Sequence, residues 1–280
     1  MMKRCLPLLL LLATTAGATP RPLRTRTDRE RPVDVLVIAP HPDDEALCCA
    51  GVISKAVARG QRVHVLVMTN GGSWAVAAAA LTGKPVEQLV GADFDALAHA
   101  RRGETLGAMK QLGVDAGEVT LLGTPDNLAE LYDATSTVDT RAPIVSTLAR
   151  WVDALRPHEV YAPNFADTHP GHLATYRFVR DALLATHWQG HLLGYVVHSG
   201  REEQWPWPAT PGGGYETHDV DGVRVPYDVA WPPPVRQPLT SEVAARKLTA
   251  IRTYGSQLAV GRVFLEGFAK EEEIFWPEAL

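Results

Sequence analysis

His41-Pro-Asp-Asp-Glu45 packs a histidine and three carboxylates into five residues. Crowded ionisable groups are costly unless something positive is bound among them, and a divalent metal answers that need. A second group, His169-Pro-Gly-His172, sets two histidines three residues apart, again with proline after the first. In each group a metal-capable side chain follows a histidine by three residues, one helical turn along on the same face. Two nitrogens and one carboxylate, with one position left for water, make the pattern of catalytic zinc. A spare carboxylate beside that water, Asp43 or Glu45, can serve as general base. Taken alone, the first segment reads equally well as an ordinary helix start. Pro42 then takes the first helical position, and Asp43, Asp44 and Glu45 fill a first turn where negative charge suits the helix dipole. Only the second group tilts the reading toward a metal.

Both groups need elements that present them. The run Val33-Asp-Val-Leu-Val-Ile-Ala39 reads as a strand buried on both faces, and apolar positions Leu47, Ala50, Val52, Ile53 and Val57 continue as a helix to about Gly60. Further strands are expected over 62–68, 119–122, 158–162 and 192–197. Helices are expected from about Phe94 to Leu112, Ala142 to Leu155, Gly171 to Ala185 and Ser241 to Tyr254. Strand alternating with helix implies an α/β, Rossmann-like fold: a mostly parallel sheet, helices on both faces, and a site at the C-terminal ends of the strands. Several strands then deliver their turns to one rim, where the two motifs can converge. Residues 73–91 read as a helical insertion, and 204–238 as a long loop rich in tryptophan, proline and glycine.

Composition bounds the partners. Of 280 residues, 46% are hydrophobic and 21% charged, which suits one globular domain. Lys3 and Arg4 precede Leu6-Pro-Leu-Leu-Leu-Leu-Leu12, and Ala16-Gly-Ala18 offers a small-residue cleavage site. Residues 1–18 therefore read as a signal peptide, too short in its apolar core to span a membrane, and the protein is expected to be secreted or periplasmic. Residues 19–32 read as a flexible mature N-terminus, and 33–280 as the single catalytic domain. Cleavage would leave 25 basic against 32 acidic residues, a net charge of −7 that argues against nucleic acid. A phosphate-binding dinucleotide fold is also excluded, because carboxylates replace the glycine-rich turn after the first strand. Adjacent Cys48 and Cys49 read as unpaired apolar residues of the first helix. His64, His99, His158, His187, His191 and His218 read as solvated or core residues.

With these motifs the chain resembles the PIG-L/LmbE-type family of zinc-dependent N-acetylglucosamine deacetylases. Pro40-His-Pro-Asp-Asp-Glu45 matches the family's opening signature, and His169-Pro-Gly-His172 matches the second, with Gly171 in place of the usual aspartate. Weaker matches are Thr69-Asn-Gly-Gly72, Arg101-x-x-Glu104, Lys247 and Tyr254-Gly-Ser-Gln257. The resemblance implies that His41, Asp44 and His172 hold one Zn2+ and that Asp43 is the general base. It implies that His169, positively charged, stabilises the oxyanion or protonates the leaving amine. Glu45 receives no catalytic role and is expected to bond the helix start or a neighbouring backbone group. The implied substrate is an N-acetylated amino sugar, free or in a glycoconjugate. Asn70, Asp126, His198 and Trp205 are the substrate-side candidates, with Trp205 in a segment able to stack on a sugar ring. Arg62 and Arg101 read as structural or solvated. A secreted zinc-retaining carbohydrate-binding protein without turnover is the competing class, and a hydrolase of another amide is the third.

Overall fold

The computed structural model describes residues 31–124, 126–132, 138–199, 205–206, 208–215 and 234–280. The signal-peptide segment, nearly all of the flexible N-terminus, and Trp207, Tyr227 and Trp231 of the aromatic loop lie outside the described residues. From Pro32 onward the chain forms one compact unit. Among the described residues no helix is long and apolar enough to cross a membrane.

The expected buried strand appears as β1 (Val35–Ala39), followed by α1 (Asp44–Ala58) and β2 (Val63–Thr69). Every residue of β1 and β2 is buried, as continuous β-branched runs require in a sheet covered on both sides. Next come α2 (Ala75–Thr82), α3 (Gly91–Gln111) and β3 (Val119–Thr124), then the single turn α4 (Leu128–Leu131). The chain continues through α5 (Val138–Leu155), β4 (Glu159–Pro163), α6 (Pro170–Ala185) and β5 (His191–Tyr195). It closes with β6 (Val235–Pro238), α7 (Ser241–Ile251), α8 (Gly255–Gly267) and β7 (Glu272–Glu278). The strands lie in one sheet in the order β3-β2-β1-β4-β5-β7-β6. The first five run parallel, while β7 is antiparallel to both β5 and β6.

Alternation along the strands builds a core on each face. Val35, Val37 and Ala39 join Val65 and Val67 beneath α1, α7 and α8, whereas Leu36, Ile38 and Leu66 meet Leu148, Phe178 and Leu183 of α5 and α6. The winding direction reverses between β1 and β4, which are hydrogen-bonded neighbours with Val35 opposite Glu159. The crevice at such a reversal is where open α/β sheets hold ligands. The turns after β1 and β4 carry His41 and His169, so topology alone places the two motifs side by side.

Three features depart from the sequence reading. The antiparallel pair β6 and β7 and the helix α8 were not expected. The strand β7 begins on acidic residues, yet Glu273 is buried: its carboxylate accepts from the Gly51 and Val52 amides at 2.7 and 2.8 Å and from Lys247 Nζ at 2.7 Å. Cys48 and Cys49, expected to be unpaired, are joined as a disulfide in α1, where both sulfurs sit in the same buried layer.

Candidate metal centre and its pocket

The turn after β1 is not the ordinary helix start that its composition allowed. The helix begins at Asp44, and Asp43 is held outside it at φ 123°, ψ −36°, a backbone conformation that side-chain-bearing residues rarely adopt. Several contacts enforce it. The Asp43 amide donates to Glu45 Oε2 at 3.0 Å. The Arg101 guanidinium donates to the carbonyls of Pro42 and Gly71 and to Asp43 Oδ2, the last at 3.2 Å. Gly71, at φ +63°, has no room for a side chain, because a Cβ there would lie 2.4 Å from Arg101 Nη1. Arg101, read as structural or solvated, also lines the pocket and fixes a carboxylate of the site.

Asp44 lies at the centre of the donor set. Its Oδ2 accepts from the His41 amide at 3.0 Å and lies 3.2 Å from His41 Nδ1 and 3.1 Å from His172 Nε2. Two overlapping triads, His41/His169/His172 and Asp44/His172/His198, have their donor atoms within 4.8 Å of one another. On α6, His169 caps the helix by accepting from the Gly171 amide through Nδ1, which leaves Nε2 for the pocket, and Pro170 takes the first helical position. His172 is fully buried, with Nδ1 on Asp167 Oδ2 at 3.0 Å. Its Nε2 faces Asp44 Oδ2 at 3.1 Å without hydrogen-bond geometry. A buried imidazole tied at one nitrogen by a carboxylate and left open at the other is the arrangement found around metal-ligating histidines. The donor set and this orphaned nitrogen fit a divalent cation.

Charge follows geometry. Burial opposes the charged form of His172, yet Asp167 and Asp44 overcome it and raise its pKa to about 10. Burial likewise opposes ionisation of Asp44, but His172 and His41 hold its carboxyl well below the usual range. Asp43 moves the other way. Burial, reinforced by Asp44 and Glu45, raises its pKa well above normal despite Arg101. His169 corrects an expectation: burial and the neighbouring His172, His41 and His198 lower its pKa to about 3, so it is neutral here, not a standing positive charge. Burial, and His172 beside it, lower His198 to about 4.

The pocket has a volume of about 990 Å3. His41, Asp43, Asp44 and His169 form its floor, and residues 257–265 of α8 form one wall. Among the substrate-side candidates, Asp126 and His198 line it. Asp126 accepts from the Gly71 and Ser73 amides at 3.0 and 2.7 Å, and the His198 ring stacks on Phe264 at 5.3 Å. Asn70 does not line the cavity: it is exposed, with its amide turned toward Gly123, and Gly71 borders the pocket in its stead. Trp205 borders the pocket but presents no free stacking face. It is buried, stacked on Tyr215 at 4.9 Å, and donates from Nε1 to the Val196 carbonyl. The exposed aromatic on the lining is Trp74, 40% exposed.

Sequence reading missed Asp167. Besides His172, it accepts from the His169, Val197 and His198 amides. Its only signal was a carboxylate in the same strand-end loop, five residues before His172. Glu45 does bond a neighbouring backbone group, the Asp43 amide.

Comparison with known proteins agrees with these motifs. The family model described as PIG-L, GlcNAc-PI de-N-acetylase, matches residues 36–183. A 1D-myo-inositol 2-acetamido-2-deoxy-alpha-D-glucopyranoside deacetylase from Mycolicibacterium vanbaalenii is 34% identical over 177 residues, covering 59% of this chain and 59% of that protein. The chain thus matches less than two thirds of that relative's length. An N,N'-diacetylchitobiose deacetylase from Pyrococcus horikoshii superposes with a TM-score of 0.54 at 20% identity, over 88% of this chain and 83% of that one. A 4-carboxy-2-hydroxymuconate hydratase from Pseudomonas putida KT2440 superposes with a TM-score of 0.56 at 16% identity, over 84% and 82%. At such identities the superpositions show a shared fold and no more.

Proposed function

The chain belongs to the PIG-L family, and from that premise we propose that it is a metal-dependent amide hydrolase that removes the N-acetyl group of an amino sugar. The observation that carries the reading is Asp43. A protein that only retained a metal or a sugar would have no use for a carboxylate held off its helix at φ 123° and steered by Arg101 into the cation pocket. His41, Asp44 and His172 would hold the cation, for which zinc suits the donor set. Such a cation supplies Lewis acidity that polarises an amide carbonyl and acidifies water. Asp43 accepts the proton of the attacking water, its carboxylate fixed for that task by Arg101. His169, neutral and open at Nε2, donates a hydrogen bond to the developing oxyanion, and the proton that Asp43 has taken from water passes on to the leaving amine. Asp126 and His198 border the sugar, and Trp74 offers the exposed apolar face that Trp205 does not. A cavity of about 990 Å3 is at the upper end for small-molecule sites, which favours an amino sugar carrying a further substituent.

The test is acetate release from a panel of N-acetylated sugars and glycoconjugates by zinc-loaded protein. Asp43→Ala is expected to keep its zinc and lose nearly all turnover, whereas His172→Ala is expected to lose zinc. No acetate from any member of the panel would favour another amide or a binding role. Full zinc occupancy in His172→Ala would mean the donor set is misassigned.

A further inference from the structure

We infer that Tyr254 and Glu45 form a strut whose task is to position Asp43. The two residues lie 209 positions apart in sequence, yet the Tyr254 hydroxyl donates to Glu45 Oε1 at 2.5 Å. The other oxygen of the same carboxylate accepts from the Asp43 amide at 3.0 Å. Tyr254 and Glu45 are both completely buried, so water does not substitute for either contact. The strut meets Asp43 from the backbone side, while Arg101 holds the carboxylate and the Pro42 carbonyl. Between them the unfavourable φ of 123° is fixed at both ends of the residue. A carboxylate that reaches back to the amide at a helix start is ordinary, as Asp93 does for Val90; what is added here is the Tyr254 hydroxyl on its other oxygen and the φ of 123° at the residue it holds.

Tyr254 is also the residue from which α8 departs, and α8 supplies Leu258, Phe264 and Leu265 to the pocket wall. The base is thereby referenced to the wall against which a substrate packs, not only to the loop that carries it. Glu45 and Tyr254 are themselves neither in the donor set nor on the cavity lining, which the strut reaches through the Asp43 amide, and they are positioning residues. The inference rests on Asp43 being the base.

Three variants test it in the zinc-loaded full chain: Tyr254→Phe, which removes one oxygen, and Glu45→Gln and Glu45→Leu, the first of which keeps an acceptor for the Asp43 amide. Tyr254→Phe is expected to keep zinc stoichiometry and to hold KM within about threefold, while kcat falls roughly 10- to 100-fold, the usual effect of a small misplacement of a reacting group. Glu45→Gln is expected to recover most of the kcat that Glu45→Leu loses. Adding Tyr254→Phe to Asp43→Ala is expected to cost nothing further, since the strut acts only through the base. An unchanged kcat in Tyr254→Phe beside an inactive Asp43→Ala would overturn the strut alone. Zinc loss in Tyr254→Phe would overturn it too, by making the tyrosine a support of the donor set. Full turnover in Asp43→Ala would instead overturn the assignment of the base.

Discussion

The candidate site residues stand out because their chemistry is local: His41, Asp44, His169 and His172 are marked by type and by three-residue spacing. What spacing does not carry is the state imposed by the fold. A histidine beside a developing oxyanion invites a positive charge, but burial among three other imidazoles makes His169 neutral. Asp167 was illegible for a related reason. Its role arises from accepting His172 Nδ1–H and three backbone amides at once, and nothing in a strand-end loop marks one carboxylate among many for that task. Its substitution gives the prediction at this scale. Asp167→Asn offers a single carbonyl oxygen to those donors and sets an amide N–H group against the rest, loosening both the tautomer and the aim of His172. We expect metal affinity to fall about 10- to 100-fold, as removal of a carboxylate behind a ligating histidine typically does. Zinc titration against a competing chelator measures this directly, and an unchanged affinity would leave Asp167 a loop-former only.

Elements were read well where periodicity speaks and poorly where burial is achieved by charge. The five parallel strands have apolar runs that announce them, and so have the helices that cross between them. The segment Glu272–Glu278 does not, because its Glu273 is buried through Lys247 and two amides of α1. Arg62 and Glu118 make a similar case at the opposite rim, just before β2 and β3. Glu118 Oε1 accepts from Arg62 Nε at 2.9 Å, and Oε2 lies 3.1 Å from His64 Nδ1. Burial opposes the ionised carboxylate, but His64 and Arg62 prevail and hold its pKa below the ordinary 4.5. A depressed folded-state pKa contributes stability that is present above about 4.5 and lost as pH falls through the folded value. Glu118→Gln should therefore destabilise by about 1–3 kcal/mol near neutrality, the cost of breaking a buried charged hydrogen-bond set. The difference from wild type should vanish in strong acid. Denaturant midpoints recorded from pH 7 to pH 3 test this, and a gap constant with pH would assign the loss to packing. Activity at pH 7 should not change, since this network and the pocket lie at opposite ends of the sheet.

For the whole molecule, the fold was inferable because alternating elements force a parallel sheet, and the site because such a sheet has one rim to offer. The sequence did not disclose that the reversal of winding falls between β1 and β4, which is what makes the two motif turns neighbours. At the rim that carries the candidate site these turns meet at the contact of His172 with Asp44, so a cation there would join the two halves of the domain. A ligand that binds only the folded state at about a hundred times its Kd stabilises by about 2.7 kcal/mol. In a domain of this size that corresponds to a rise in Tm of roughly 5–11 °C. Chelation should lower Tm by that amount and zinc should restore it, while His172→Ala should show the lower Tm with or without chelator. Asp43→Ala should keep the full chelator-dependent shift despite its lost turnover, because its carboxylate stands beside the cation and does not hold it. A shift absent from Asp43→Ala but present in His172→Ala would exchange their roles.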